Sequence, residues 1–194
     1  MKVINIRTYD EAIKLPMIPF TPEQTAAVEK AVLNVGSSNS SRFAKLKEIY
    51  QATDLLVSVE STRSVCDKGC NACCSITVEM TELEARYIEK NAGVKVKANS
   101  FLRRPTVGAN ASSLLVKKTP CSLLSNDGSC SVYEHRPFPC RVFMAFDSPK
   151  YCEEISTPHA TLTTQSSPQL QALEWSIDRL NGSGGRGDIR EFFS

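Results

Sequence analysis

Cys66-Asp67-Lys68-Gly69-Cys70-Asn71-Ala72-Cys73-Cys74 is the stretch on which the reading turns, because it puts four thiols in nine residues. Side chains two or three residues apart can reach one point when the backbone turns tightly between them, and Gly69 supplies a residue that bends easily. Four soft ligands in a tetrahedron suit zinc. Four thiolates, often three close together and one distant, suit an iron–sulfur cluster. The other four cysteines, Cys121, Cys130, Cys140 and Cys152, complete a set of eight confined to positions 66–152. All eight, Cys66, Cys70, Cys73, Cys74, Cys121, Cys130, Cys140 and Cys152, are candidate metal ligands, enough for one or two four-thiolate sites. Adjacent Cys73 and Cys74 do not aim easily at one point from an extended backbone. One division groups Cys66, Cys70 and Cys73 with a distant cysteine and Cys74 with others, but the spacing leaves the division open.

An even count of cysteines also fits a disulfide framework. The N-terminal residues weigh against it. Met1-Lys2-Val3-Ile4-Asn5-Ile6-Arg7 soon meets Asp10 and Glu11 with no long apolar stretch, so no secretory signal is expected. No apolar run approaches the roughly 20 residues of a membrane span. The expected location is cytoplasmic, where thiols stay reduced. With 194 residues, 41% apolar and 23% charged, the chain suits one domain with extensions, and its net charge of +2 points to no particular partner.

Outward from the cysteines, the flanks read as helical support. Thr21-Pro22-Glu23-Gln24 is a capping box with proline at the first helical position. It opens a helix to about Val35, closed by Gly36. A second helix runs from Ser41 to about Val59, with Phe43, Leu46, Ile49, Tyr50, Leu55 and Leu56 on one side. Residues 1–20 look irregular. Ser75-Ile76-Thr77-Val78 reads as a short strand. Thr81-Glu82-Leu83-Glu84 caps another helix that Gly93 stops. Leu114-Leu115-Val116 reads as a strand leading to Pro120-Cys121. Asn126-Asp127-Gly128 between two short apolar runs signals a hairpin, with Cys121 and Cys130 on its arms. Ser167-Pro168 opens a last helix to about Leu180, packed through Leu170, Leu173, Ile177 and Leu180. Gly182-Ser183-Gly184-Gly185-Arg186-Gly187 reads as flexible and the last seven residues as a loose tail or a partner-bound segment.

The expected fold class is therefore α+β: a mostly helical small domain with a loop-rich, metal-organised cysteine centre and one short β-hairpin. The expected divisions are an N-terminal helical hairpin at 1–62, a cysteine-cluster domain at 63–155, and a C-terminal helix with tail at 156–194. Residues 90–118 hold Lys90, Lys95, Lys97, Arg103, Arg104, Lys117 and Lys118 and no acid. That stretch could meet an anionic partner, although a solvated face explains it more simply.

Two blocks carry a family resemblance. The first is Cys66 to Cys74, followed by Thr81 and Glu84. The second is Cys121-Ser122-Leu123-Leu124, Cys130-Ser131-Val132-Tyr133-Glu134, Arg136-Pro137 and Cys140-Arg141-Val142-Phe143. In both, the chain resembles the CxxCxxCC cysteine-cluster family, also called YkgJ-like and described as zinc- or iron-chelating. The resemblance spans roughly residues 66–146. It departs from the family in the first gap, where Asp67, Lys68 and Gly69 stand in place of the usual two residues. Cys152 lies outside the shared blocks and is a candidate on count alone.

The resemblance implies a metal- or iron–sulfur-cluster-binding protein. Members linked to flagellin lysine N-methylation are associated with an iron–sulfur cluster, which leans the cofactor towards iron–sulfur over zinc. It also raises an iron–sulfur-dependent protein (lysine) N-methyltransferase as an alternative, though the flanks show no Gly-rich nucleoside loop. A zinc-stabilised interaction module for an anionic partner is the second alternative. Cys66-x3-Cys70-x2-Cys73 also has the spacing of the radical S-adenosylmethionine motif, but two helices precede it instead of the first strand of an α/β barrel. Arg136 and Arg141 are expected to donate to thiolate sulfur or nearby carbonyls, and His135 and His159 to play plain surface roles.

Overall fold

The computed structural model describes residues 6–67, 69–97, 119–153 and 158–193. Eight α-helices are found among them: α1 (Tyr9–Ala12), α2 (Pro22–Ser37), α3 (Arg42–Arg63), α4 (Glu82–Ala92), α5 (Phe138–Val142), α6 (Pro149–Glu153), α7 (Pro168–Asn181) and α8 (Ile189–Phe192). Four short strands, β1 (Glu79–Thr81), β2 (Met144–Ala145), β3 (Thr161–Leu162) and β4 (Arg186–Asp188), pair two by two. The fold is a small α+β fold with more helix than strand, as the sequence predicts. The expected strand at 114–116 lies outside the described residues.

The chain gathers into two compact units. The first takes Met1–Asp67 and Arg141–Arg179, the second Lys68–Cys140 and Leu180–Ser194.

In the first unit, α2 and α3 form the expected helical hairpin. Thr21 caps α2 by accepting the Gln24 N–H, while the Gln24 carboxamide oxygen accepts the Thr21 N–H at 2.9 Å. The same carboxamide donates from Nε2 to the Leu55 carbonyl at 2.9 Å, which ties the cap to α3. Lys45 Nζ donates to the Val35 carbonyl near the end of α2, where a cation offsets the helix dipole. Leu46, Ile49, Tyr50, Leu56 and Val57 bury the inner face of α3, and Leu170, Leu173 and Ile177 bury that of α7. Thr21→Ala is expected to cost about 1 kcal/mol in urea unfolding without changing metal content. A loss indistinguishable from zero would mean that the cap is idle.

Two differences from the expectation have local causes. Residues 9–12 are helical because Thr8 and Glu11 make a capping box of their own. Helix α3 runs on to Arg63 because its polar end is anchored. Glu60, 2% exposed, accepts the Ile18 N–H at 2.8 Å and pairs with Arg63, whose guanidinium donates to the Pro16 carbonyl.

In the second unit, β1 pairs antiparallel with β4, in register Glu79↔Asp188, Met80↔Gly187 and Thr81↔Arg186. Residues 72–75 form a 3-10 turn, and the strand begins only at Glu79, later than the expected 75–78. Thr81 and Glu84 complete the predicted capping box of α4, and Gly93 ends it with φ 72°. The core of this unit is Val78, Met80, Ala85, Ile88, Leu123, Val132, Ile189, Phe192 and Phe193, with Cys121, Cys130 and Cys140 packed against it.

The C-terminal segment corrects the expectation of a loose tail. Asp188 caps α8, and Ile189, Phe192 and Phe193 are buried. Three large apolar side chains at helical spacing repay ordering, each fully buried one being worth about 1.5–3 kcal/mol. Gly184 and Gly187 before them serve close approach. A Cβ on Gly187 would stand 2.5 Å from Glu191 Oε2 and 3.6 Å from the Phe192 ring.

Candidate metal centre

The second unit positions six of the eight cysteines. Gly69 takes φ 91°, a conformation costly for residues with a Cβ, and turns the chain ahead of Cys70. The 3-10 turn Ala72–Ser75 follows, closed by the Cys74 N–H donating to the Asn71 carbonyl at 2.9 Å. This turn sets the Cys73 side chain within hydrogen-bonding reach of Cys74. Cys70 is exposed.

The second block folds back onto this turn. The Cys121 N–H donates to the Cys74 carbonyl at 2.8 Å. The predicted Asp-Gly turn forms, with Gly128 at φ 81°, Ser125 and Ser129 closing it at 2.8 Å, and Leu124 bridged to Cys130. Backbone donors aim at the sulfurs: the Leu123 N–H at Cys121 and the Val132 N–H at Cys130. Such bonds favour the thiolate, which is the ligating form. Cys140 comes from α5, whose first N–H, at Phe138, donates to Glu84 Oε1 at 2.9 Å.

The four thiols Cys74, Cys121, Cys130 and Cys140 feel one another's charge. Burial pushes the Cys121 thiol up, and the charges of Cys74 and Cys130 push it further. Burial likewise raises Cys130, with Cys74 adding to it. Cys140 is pushed furthest, by burial and then by Cys121, Cys74 and Cys130. Cys74 alone moves down, to about 7, held there by the Cys73 hydrogen bond and by Arg190 against the effect of burial. Ionised together, four half-buried thiolates would repel one another, and a cation among them would offset that repulsion. The donor set therefore fits a thiolate-bound metal or cluster. Among the described residues, however, no three Cys, His, Asp or Glu side chains converge closely enough to hold a single ion.

Two positioning residues escaped the sequence reading. Arg190 donates to the carbonyls of Thr119, Ile76 and Cys74, and so clamps both cysteine blocks. It pairs with Asp188 at 3.0 Å, and Asp188 in turn accepts the Val78 N–H. No local pattern marks either one as a clamp, because the carbonyls and the Val78 N–H that they hold lie more than 70 residues away. Arg136 places its guanidinium 3.9 Å from the Tyr133 ring centroid, and its charge acts on Cys130 and Cys140. His135 meets the Tyr87 ring edge-on.

The remaining candidates lie in the first unit. Cys66 Sγ accepts the Ala145 N–H at 3.4 Å, beside a Val65–Ala145 backbone bond. Cys152 Sγ lies 3.3 Å from His159 Nε2. Arg141 stacks 4.2 Å from the Tyr50 ring centroid and pairs with Asp54 at 2.6 Å. Of the basic stretch, Arg103, Arg104, Lys117 and Lys118 lie outside the described residues. Lys97 Nζ donates to the Arg190 carbonyl. Among the described residues no helix is long and apolar enough to cross a membrane.

A cluster of half-buried thiols with backbone donors aimed at sulfur fits a thiolate metal-binding class of domain. The chain belongs to the CxxCxxCC family, whose model, described as "Putative zinc- or iron-chelating domain", matches residues 65–166. No curated protein and no solved structure matches the chain.

Proposed function

We propose that Cys74, Cys121, Cys130 and Cys140 ligate one iron–sulfur cluster, and that the protein's role is to hold it. The observation that carries this reading is that the Cys121 N–H bonds the Cys74 carbonyl at 2.8 Å while Cys121, Cys130 and Cys140 pack against a single hydrophobic core. Four thiolates suit zinc and an iron–sulfur cluster alike, and the lean towards a cluster rests on the family resemblance. When bound, the cluster would supply one-electron redox chemistry or a metal store. Cys73 tunes Cys74 through its hydrogen bond, and Arg136 and Arg190 offset charge around the sulfurs.

Protein purified anaerobically should be brown, with visible absorbance that C121S or C130S removes. Colourless protein carrying stoichiometric zinc, lost in the same variants, would replace the cluster with zinc.

A further inference from the structure

We infer that Cys152, His159 and Asp147 form a second site, an activated thiol that reacts with a small hydroperoxide. The argument begins with strand register. β2 pairs antiparallel with β3 as Met144↔Leu162 and Ala145↔Thr161. Continued by one residue, the ladder puts Phe146 against Ala160, where the Phe146 N–H donates to the Ala160 carbonyl at 2.9 Å. Continued by one more, it sets Asp147 across from His159. Helix α6 then returns Cys152 to the same end of the pair.

The three side chains meet in sequence. Cys152 Sγ stands 3.3 Å from His159 Nε2. His159 Nδ1 stands 2.7 Å from Asp147 Oδ1, off the hydrogen-bond line. Asp147 is fully buried, and its other oxygen accepts the Ala160 N–H at 2.7 Å. A nucleophile beside a base, with the base held by a third group, is the arrangement that activates thiols. A buried carboxylate with one oxygen fixed by the backbone and the other against an imidazole is a positioning residue.

The geometry also restricts the substrate. Cys152 is half-buried and the His159 side chain is 17% exposed, so a small electrophile reaches the sulfur most easily. In a hydroperoxide, the leaving oxygen needs a proton, and His159 can return the one it took. The step balances. Cys152 S–H passes its proton to His159 Nε2, and the sulfur attacks the outer peroxide oxygen. The O–O bond breaks and Cys152 becomes a sulfenic acid. The departing oxygen takes the proton from His159 and leaves as water or an alcohol. Sulfur is oxidised and the peroxide reduced.

The test treats the metal-loaded protein with hydrogen peroxide, traps sulfenic acid with a carbon nucleophile, and reads the Cys152 peptide by mass spectrometry. A free thiol is only a few per cent thiolate at neutral pH, so losing the base should slow labelling by about tenfold or more in His159→Ala. Added imidazole should restore the rate in that variant, which a merely structural histidine would not allow. Asp147→Asn should slow labelling and shift the ring-nitrogen NMR signals of His159, which has only one other histidine to be distinguished from. Unchanged labelling in His159→Ala, or no rescue by imidazole, would overturn the inference. So would loss of bound metal in Cys152→Ser, which would make Cys152 a ligand instead.

Discussion

Cys140→Ser is expected to strip the bound metal and to lower the unfolding free energy of the loaded protein by about 3 kcal/mol or more. The estimate has a floor. Removing a partner that merely orients a ligand costs roughly 10–100-fold in metal affinity, and each tenfold is about 1.4 kcal/mol. Losing a ligand itself costs at least the upper end of that range. Cys140 is the choice because it is the thiol carried by α5, whose start is fixed by the Phe138 N–H on Glu84 Oε1 at 2.9 Å. The linkage predicts a second result. Metal-free wild type and metal-free Cys140→Ser should unfold at similar urea concentrations, because the metal–sulfur bond that the variant loses exists only in the loaded protein. Elemental analysis beside urea titrations, with and without chelator, reads both effects. Full metal occupancy in the variant would remove Cys140 from the ligand set.

Local signals in this chain were legible and distant ones were not. The capping boxes at Thr21–Gln24 and Thr81–Glu84, the stop at Gly93 and the turn at Asp127–Gly128 each need only residues a few positions apart, and all four formed. The thiols of the second block were legible for the same reason, because the turn between Cys121 and Cys130 lies between them in sequence. What was illegible depended on pairing across long separations. β1 meets β4 more than 100 residues on, and with that strand come Asp188, Arg190 and the buried Ile189, Phe192 and Phe193. Read locally, the glycine-rich stretch before them suggested flexibility. Its composition does not reveal that Gly187 lies against Glu191 and Phe192. His159 was misjudged as a surface residue because its partners, Asp147 and Cys152, come together only through the β2–β3 register.

Glu84→Ala should rival the loss of a cysteine, although Glu84 ligates nothing. Its carboxylate is 2% exposed and serves two elements at once. Oε2 accepts the Thr81 N–H at 2.8 Å and the Thr81 hydroxyl at 2.9 Å, which closes the start of α4. Oε1 accepts the Phe138 N–H at 2.9 Å, which fixes the start of α5 and with it Cys140. Alanine would leave two buried N–H groups without acceptors. Each costs about 1–3 kcal/mol, so the expected loss is about 3–5 kcal/mol with the half-lost cap included. Glu84→Gln keeps one acceptor oxygen and should lose about half as much, whereas Thr81→Ala should lose only about 1 kcal/mol. The same order should appear in metal affinity, because Glu84 holds the first residue of the helix that carries Cys140. Urea unfolding and competitive chelator titration on the three variants check the order. If Glu84→Ala were as stable and as well loaded as Thr81→Ala, the bond to Phe138 would not be what sets Cys140 in place, and α5 would have to be held by its buried Phe138 side chain instead.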